Sequence, residues 1–181
     1  NQYKTIFEHY NIISYDNFYN DENALSSNIA CTVLKVQEKK TQKGNSYAII
    51  KFSDLSGVFE LFIFSDIFEI NREILKEGNS LMITIMKNYS DESKTQKKIN
   101  VKKIISLKEV LNKPVESINI KINNVEDLDK FKSLSKTDGR TKISLEFEDN
   151  SRKYIFELKD KRLMDHKIIN SLKIKENIEI N

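Results

Sequence analysis

The chain has 181 residues, 39% hydrophobic and 31% charged, with a formal net charge of +3 from 30 basic and 27 acidic side chains; this allows one large domain or two small ones around a thin core. A mean hydropathy of −0.52 is that of a soluble chain, no apolar run approaches the roughly 20 residues that span a bilayer, and the N-terminus lacks the basic-then-apolar pattern of a signal peptide. The single cysteine, Cys31, excludes an internal disulfide and a cysteine-based zinc site and fits a reducing, cytoplasmic setting.

Residues 1–27 read as a helical lead-in. Tyr3, Ile6, Phe7 and Tyr10 fall at helical spacing and are followed by a polar loop through YNDENALSSN. With no initiator methionine, the chain reads as a piece of a longer protein. From Ile29 the period changes to that of strands. IACTVLKVQEKK is a strand with a basic far end, and Cys31 within it is a packing residue. SYAIIKFS sets Ala48, Ile50 and Phe52 on one face and Tyr47, Ile49 and Lys51 on the other. Asp54-Leu55-Ser56-Gly57 is a turn, and VFELFIF alternates Phe59, Leu61 and Ile63 against Val58, Glu60, Phe62 and Phe64.

SDIFEINREILKEGN predicts a helix capped by Ser65 or Asp66, with Ile67, Ile70 and Ile74 or Leu75 inward and Gly78 as its stop. SLMITIMKN and INVKKIISL are two more strands around the polar loop YSDESKTQKK. Three strands, a helix and two strands form the order of a five-stranded OB-fold barrel, expected here over residues 28–112.

SLKEVLNKP predicts a short helix ended by Pro114, the only proline, and a domain boundary near it. Residues 113–181 then predict a small β-α-β-β-α-β domain. Its elements are a strand VESINIKIN, a helix with Val125, Leu128, Phe131 and Leu134 inward, a hairpin TDGRTKISLEFEDNSRKYIFEL, a helix RLMDHKIINSLK and a last strand ENIEI.

In an OB fold the loop between the first two strands, the loop between the last two, and the face of strands two and three contact single-stranded nucleic acid. Lys39, Lys40, Lys43 and Lys51 cluster with only Glu38 opposing them, and Lys94, Lys97 and Lys98 lie on the second loop, diluted by Asp91 and Glu92. These lysines are the candidate phosphate contacts, and Tyr47 and Phe62 the candidate stacking platforms. Lysine outnumbers arginine 26 to 4, a bias that AT-rich coding also produces, so the distribution must carry the argument and the count alone does not. His9 and His166 have no partner pattern, Asp54 and Glu60 flank a turn, and no nucleotide loop, metal-ligand set or nucleophile elbow is present. The expectation is a fragment without catalysis, cofactor or metal.

The run VLKVQEKKTQKGNSYAIIKFSDLSGVFELFIFSDIFEINREILKEGNSLMIT, with Lys43-Gly44-Asn45, Phe52 through Asp54, Gly57, Phe64 and Leu75 through Gly78 at joint spacing, resembles the OB domain of bacterial DNA polymerase III alpha subunits. The remainder, including MDHKIINSL, is similar in order and pattern to that family's C-terminal tail. The resemblance spans about residue 10 to 181. It implies a noncatalytic C-terminal fragment of a DNA-directed DNA polymerase, bacterial, cytoplasmic and nucleoid-associated. The OB domain would hold single-stranded template DNA, with Asn45 joining the lysines, and the tail would dock the tau subunit of the clamp loader. The dense apolar series Ile168, Ile169, Leu172, Ile178 and Ile180 is the candidate partner surface, although some of it must form the core of so small a domain. The isolated fragment is expected to be monomeric and to have no membrane contact. The rival expectation is a protein-interaction module of the replisome whose OB barrel never touches DNA; an RNA-reading OB domain is weakened by the attached tail.

Overall fold

The computed structural model describes residues 3–90, 96–172 and 178–180. No helix among them is long and apolar enough to cross a membrane. The chain divides into two compact units, one formed by Tyr10–Glu109 and the other by residues 1–9 together with 110–181. Each holds one five-stranded sheet and its own apolar cluster, so the protein is a β-rich α+β chain. The expected lead-in over 1–27 is split between them. Its first helix, α1 (Lys4–His9), belongs to the second unit and packs on that unit's last helix.

The polar stretch expected to be a loop contains a further helix, α2 (Tyr15–Asn20), in the first unit. Ser14 caps it, its Oγ accepting from Asn17 N–H, and Phe18 is fully buried. Asp54 ties the helix start to the following sheet. One carboxylate oxygen accepts from Tyr15 N–H at 2.6 Å, while the other accepts from Ser56 N–H and Oγ and from Gly57 N–H in its own turn.

The sheet of this unit contains β1 (Ser26–Lys40), β2 (Ser46–Ser53), β3 (Val58–Ile63), β4 (Ser80–Tyr89) and β5 (Lys97–Ser106), in the order β3-β2-β1-β4-β5. β1 is long because it serves two neighbours: Ser26–Thr32 pair with β4, and Thr32–Lys40 pair with β2. The expected closed barrel is not formed. β3 and β5 bring Cα atoms within 8 Å but exchange no ladder among the described residues. Helix α3 (Ser65–Asn71) packs against β2 and β5 instead, and places Phe68 in the core, joined by Leu75 just beyond it. The inward stripe of α3 also differs from expectation. The helix ends at Asn71, its N-cap is Phe64 with no side-chain cap, and Ile70 points to solvent.

Helix α4 (Leu107–Asn112) follows, and the division between units falls within it, ahead of Pro114. The second unit contains β6 (Ser117–Lys121), α5 (Val125–Leu134), β7 (Lys136–Asp149), β8 (Arg152–Glu157), β9 (Arg162–Leu163), α6 (His166–Ser171) and β10 (Ile178–Ile180). β6 and β7 are parallel and joined through α5, as a crossover requires, and the order is β10-β6-β7-β8 with β9 on the start of β7. Arg162 and Leu163, expected to open the last helix, form β9, and α6 starts only after Asp165, whose carboxylate accepts from Ile168 N–H at 2.8 Å. Val125, expected inward, is exposed because it is the first residue of α5 after the Asn124 cap; Phe131 carries the burial. The β7–β8 hairpin turns on Asn150 and Ser151, both at positive φ (47° and 64°).

Candidate nucleic-acid interface

The decisive local feature is a bulge in β1. Val33 pairs with Phe52 and Lys35 pairs with Lys51, so Leu34 is the extra residue. A bulge inserts one residue and inverts the side-chain parity of everything beyond it. Strict alternation from buried Val33 would turn Lys35 and Lys39 inward. The bulge turns them outward, onto the face of β2 opposite its buried Ala48, Ile50 and Phe52.

The register makes that outer face a grid. Lys35, Lys51 and Glu60 form one row, Gln37, Ile49 and Phe62 the next, and Lys39, Tyr47 and Phe64 the third by continuation of the β2–β3 ladder. Tyr47 and Phe62 stack with centroids 4.7 Å apart and planes at 24°, and Phe64 meets Phe62 edge-on at 4.8 Å. Phe62 is 39% and Phe64 44% exposed, so both retain ring surface for a further stacking partner. Lys35 directly opposite Lys51 is an unfavourable like-charge pair, which Glu60 offsets on one side only.

Glu38, the acid expected to oppose this cluster, does not face it. Two strand positions removed from Val36, it lies on the other face and takes a two-pronged ion pair from Arg72, with Nη1–Oε2 at 2.6 Å and Nη2–Oε1 at 2.9 Å. Hydrogen bonding from Arg72 and then Ser46, with the charge of Lys40 adding a smaller effect, holds the Glu38 carboxyl down to about 2. Lys40 thus sides with Glu38 rather than with the aromatic face. Lys43 is exposed in a loop whose geometry Thr41 sets: its N–H donates to Asn45 O, its carbonyl accepts from Gly44 N–H, and its Oγ1 accepts from Asn45 N–H. Gly44 takes φ +84° there, at low cost only for glycine. The backbone of Asn45 is therefore a loop-closing group.

No family model matches this chain, and no curated protein does.

Of the second lysine group, Lys94 lies outside the described residues, and Lys98 is exposed on β5 opposite Asn88. Lys97 has a structural task instead. Its ammonium donates to Tyr19 O at 3.0 Å and sits 4.7 Å from the Tyr19 ring centroid. Beside it Lys87, only 2% exposed, donates to Phe18 O at 2.6 Å and Asp21 O at 2.8 Å. The two lysines cap the carbonyl end of α2, where positive charge is favourable. Burial and then the charge of Lys97 lower the Lys87 pKa.

On the second unit, the proposed partner series separates. Ile169 and Leu172 are fully buried in the core with Ile118, Ile120 and Phe131, because α6 covers the sheet with that face, so neither is available to a partner. Ile168, Ile178 and Ile180 are half-buried and pack at the edge of that core. Ile178 and Ile180 line a cavity of about 170 Å³ together with Thr5, Glu8 and His9. Next to it the two histidines meet, their ring centroids 5.4 Å apart, and His166 Nδ1 lies 3.2 Å from Thr5 Oγ1. Burial, then the neighbouring His9, pushes the His166 pKa down to about 4, against a smaller upward pull from Asp165. Burial lowers His9 as well. Cys31 is buried, and burial pushes its thiol pKa up, the opposite of an activated nucleophile. Among the described residues no group of three or more His, Cys, Asp or Glu is placed to hold a metal ion.

Proposed function

We propose that the Tyr10–Glu109 unit is an OB-type module that binds single-stranded nucleic acid across the outer face of β1, β2 and β3, without sequence readout. The strand order, the helix between β3 and β4, and the approach of β3 to β5 support the OB reading. The single observation that carries the binding reading is the aromatic cluster Tyr47–Phe62–Phe64 on a face shared with Lys35, Lys39 and Lys51. Aromatic platforms give bases stacking surfaces and the lysines give the backbone counter-charges. Taken with the resemblance to DNA polymerase III alpha subunits, this supports a noncatalytic polymerase fragment that holds template, with the other unit docking the clamp-loader tau subunit through a surface other than Ile169 and Leu172.

The test is fluorescence anisotropy of a labelled single-stranded oligonucleotide across a salt series. Phe62→Ala should weaken binding by about 1–3 kcal/mol and leave the salt slope alone. Lys39→Ala and Lys51→Ala should each reduce the slope by about 0.7. A chain that binds no oligonucleotide at low salt, or one whose salt slope is unchanged in the lysine variants, refutes the assignment.

A further inference from the structure

Strand β8 ends the second sheet, and every residue from Arg152 to Glu157 is exposed. By register with Phe147 and Leu145, Tyr154 and Phe156 lie on the sheet's core-facing side, yet they are 43% and 57% exposed. Among the described residues no strand covers this edge, and an exposed edge is a template for another strand. Its pairing preference follows from the ladder. Leu158 N–H donates to Ile143 O at 2.9 Å, and hydrogen-bonded pairs alternate along an antiparallel ladder. Leu158, Phe156 and Tyr154 therefore direct their N–H and C=O groups toward β7, while Lys153, Ile155 and Glu157 direct theirs to the open edge.

The geometry points to a second copy of this chain as the occupant, with β8 pairing antiparallel to β8 of its twin about a two-fold axis through Ile155. In that register Ile155 meets its counterpart and Lys153 meets Glu157 of the second copy, twice. All the outward backbone groups of these residues are then matched by reciprocal hydrogen bonds. The two-fold keeps the core-facing sides together, so Tyr154 lies across from Phe156 of the second copy in the closer, non-hydrogen-bonded pair, also twice. No other register centred within the strand combines matched backbone groups, opposite charges and an aromatic pair. Centring on Tyr154 sets Lys153 against Ile155 and so loses both charge pairs, and centring between residues turns core-facing side chains against solvent-facing ones. Lys153 already touches Glu146 at 2.8 Å, and its three N–H donors leave room for a second carboxylate. Such a contact is isologous, as closed dimers require, and its small area makes it a weak one.

Sedimentation equilibrium of the full chain from about 5 to about 500 µM tests this. The average mass should climb from 21.2 kDa toward twice that value. Glu157→Lys and Lys153→Glu should each weaken self-association about tenfold by setting like charges opposite, with circular dichroism confirming that both fold. An equimolar mixture of the two variants should regain association, because each then meets opposite charge. A constant monomer mass, variants that associate like the parent, or a mixture that stays monomeric overturns the proposal.

Discussion

His166 offers a stability switch whose direction and size follow from its surroundings. It is buried between α1 and α6, beside His9 and Thr5, and titrates near 4 rather than near the 6.5 of an unfolded chain. Between those values the unfolded chain takes up a proton that the folded unit refuses, so stability is fully present above pH 6.5 and is lost as pH falls through 4. The difference amounts to about 3 kcal/mol, a large part of the stability of a small unit. Two measurements read it. NMR titration of the two histidine ring signals should show both midpoints lowered, His166 the further, with coupling between them. Urea unfolding from pH 7.5 to 4.5 should move the transition of the unit containing α1 and α6. His166→Gln, which keeps a polar partner for Thr5 but does not titrate, should flatten most of that dependence. A His166 signal titrating near 6.5, or a variant that keeps the parent's full pH slope, would refute the reasoning.

Other expectations concern single contacts. Lys87→Met should destabilise the Tyr10–Glu109 unit by about 1–3 kcal/mol, read by urea denaturation, because it strands the buried carbonyl of Phe18 and removes the bond to Asp21 O. Glu38→Gln should remove a separate acid dependence: the Arg72 pair stabilises above the ordinary carboxylate range near 4.5 and is lost as pH falls through about 2, which acid titration followed by circular dichroism will detect. Ser151→Gly should raise stability by about 1 kcal/mol in thermal unfolding, since Ser151 holds φ +64° in the hairpin turn between β7 and β8.

How far the residues themselves determined the outcome differs from place to place. The alternation in SYAIIKFS and VFELFIF, the Asp54 turn and the hairpin around Asn150 were legible because each depends on neighbours within a few positions. The same local logic placed Tyr47 and Phe62 on one outer face, and the resulting aromatic contact is present. It set Phe64 there too, although nothing local indicated that its ring would complete the cluster. Lys35 was invisible because its direction depends on a bulge, and a bulge is decided by pairing with a strand not yet known. α2 was missed for a similar reason. Its six residues hold a helix through Ser14, Phe18 burial and two lysines from strands more than sixty positions away.

Composition and period settled a β-rich chain with two apolar cores, because side-chain alternation is a local consequence of backbone geometry. Which hydrophobic residues those cores would consume was left to tertiary contact: Ile169 and Leu172 are spent inside, whereas Tyr154 and Phe156 remain outside. Charge partners were decided the same way. Glu38 left its neighbouring lysines for Arg72, and His9 met His166 across nearly the whole length of the chain. Such pairings exist only once the strands are in register, since electrostatic and packing partners are chosen by distance in space rather than along the sequence.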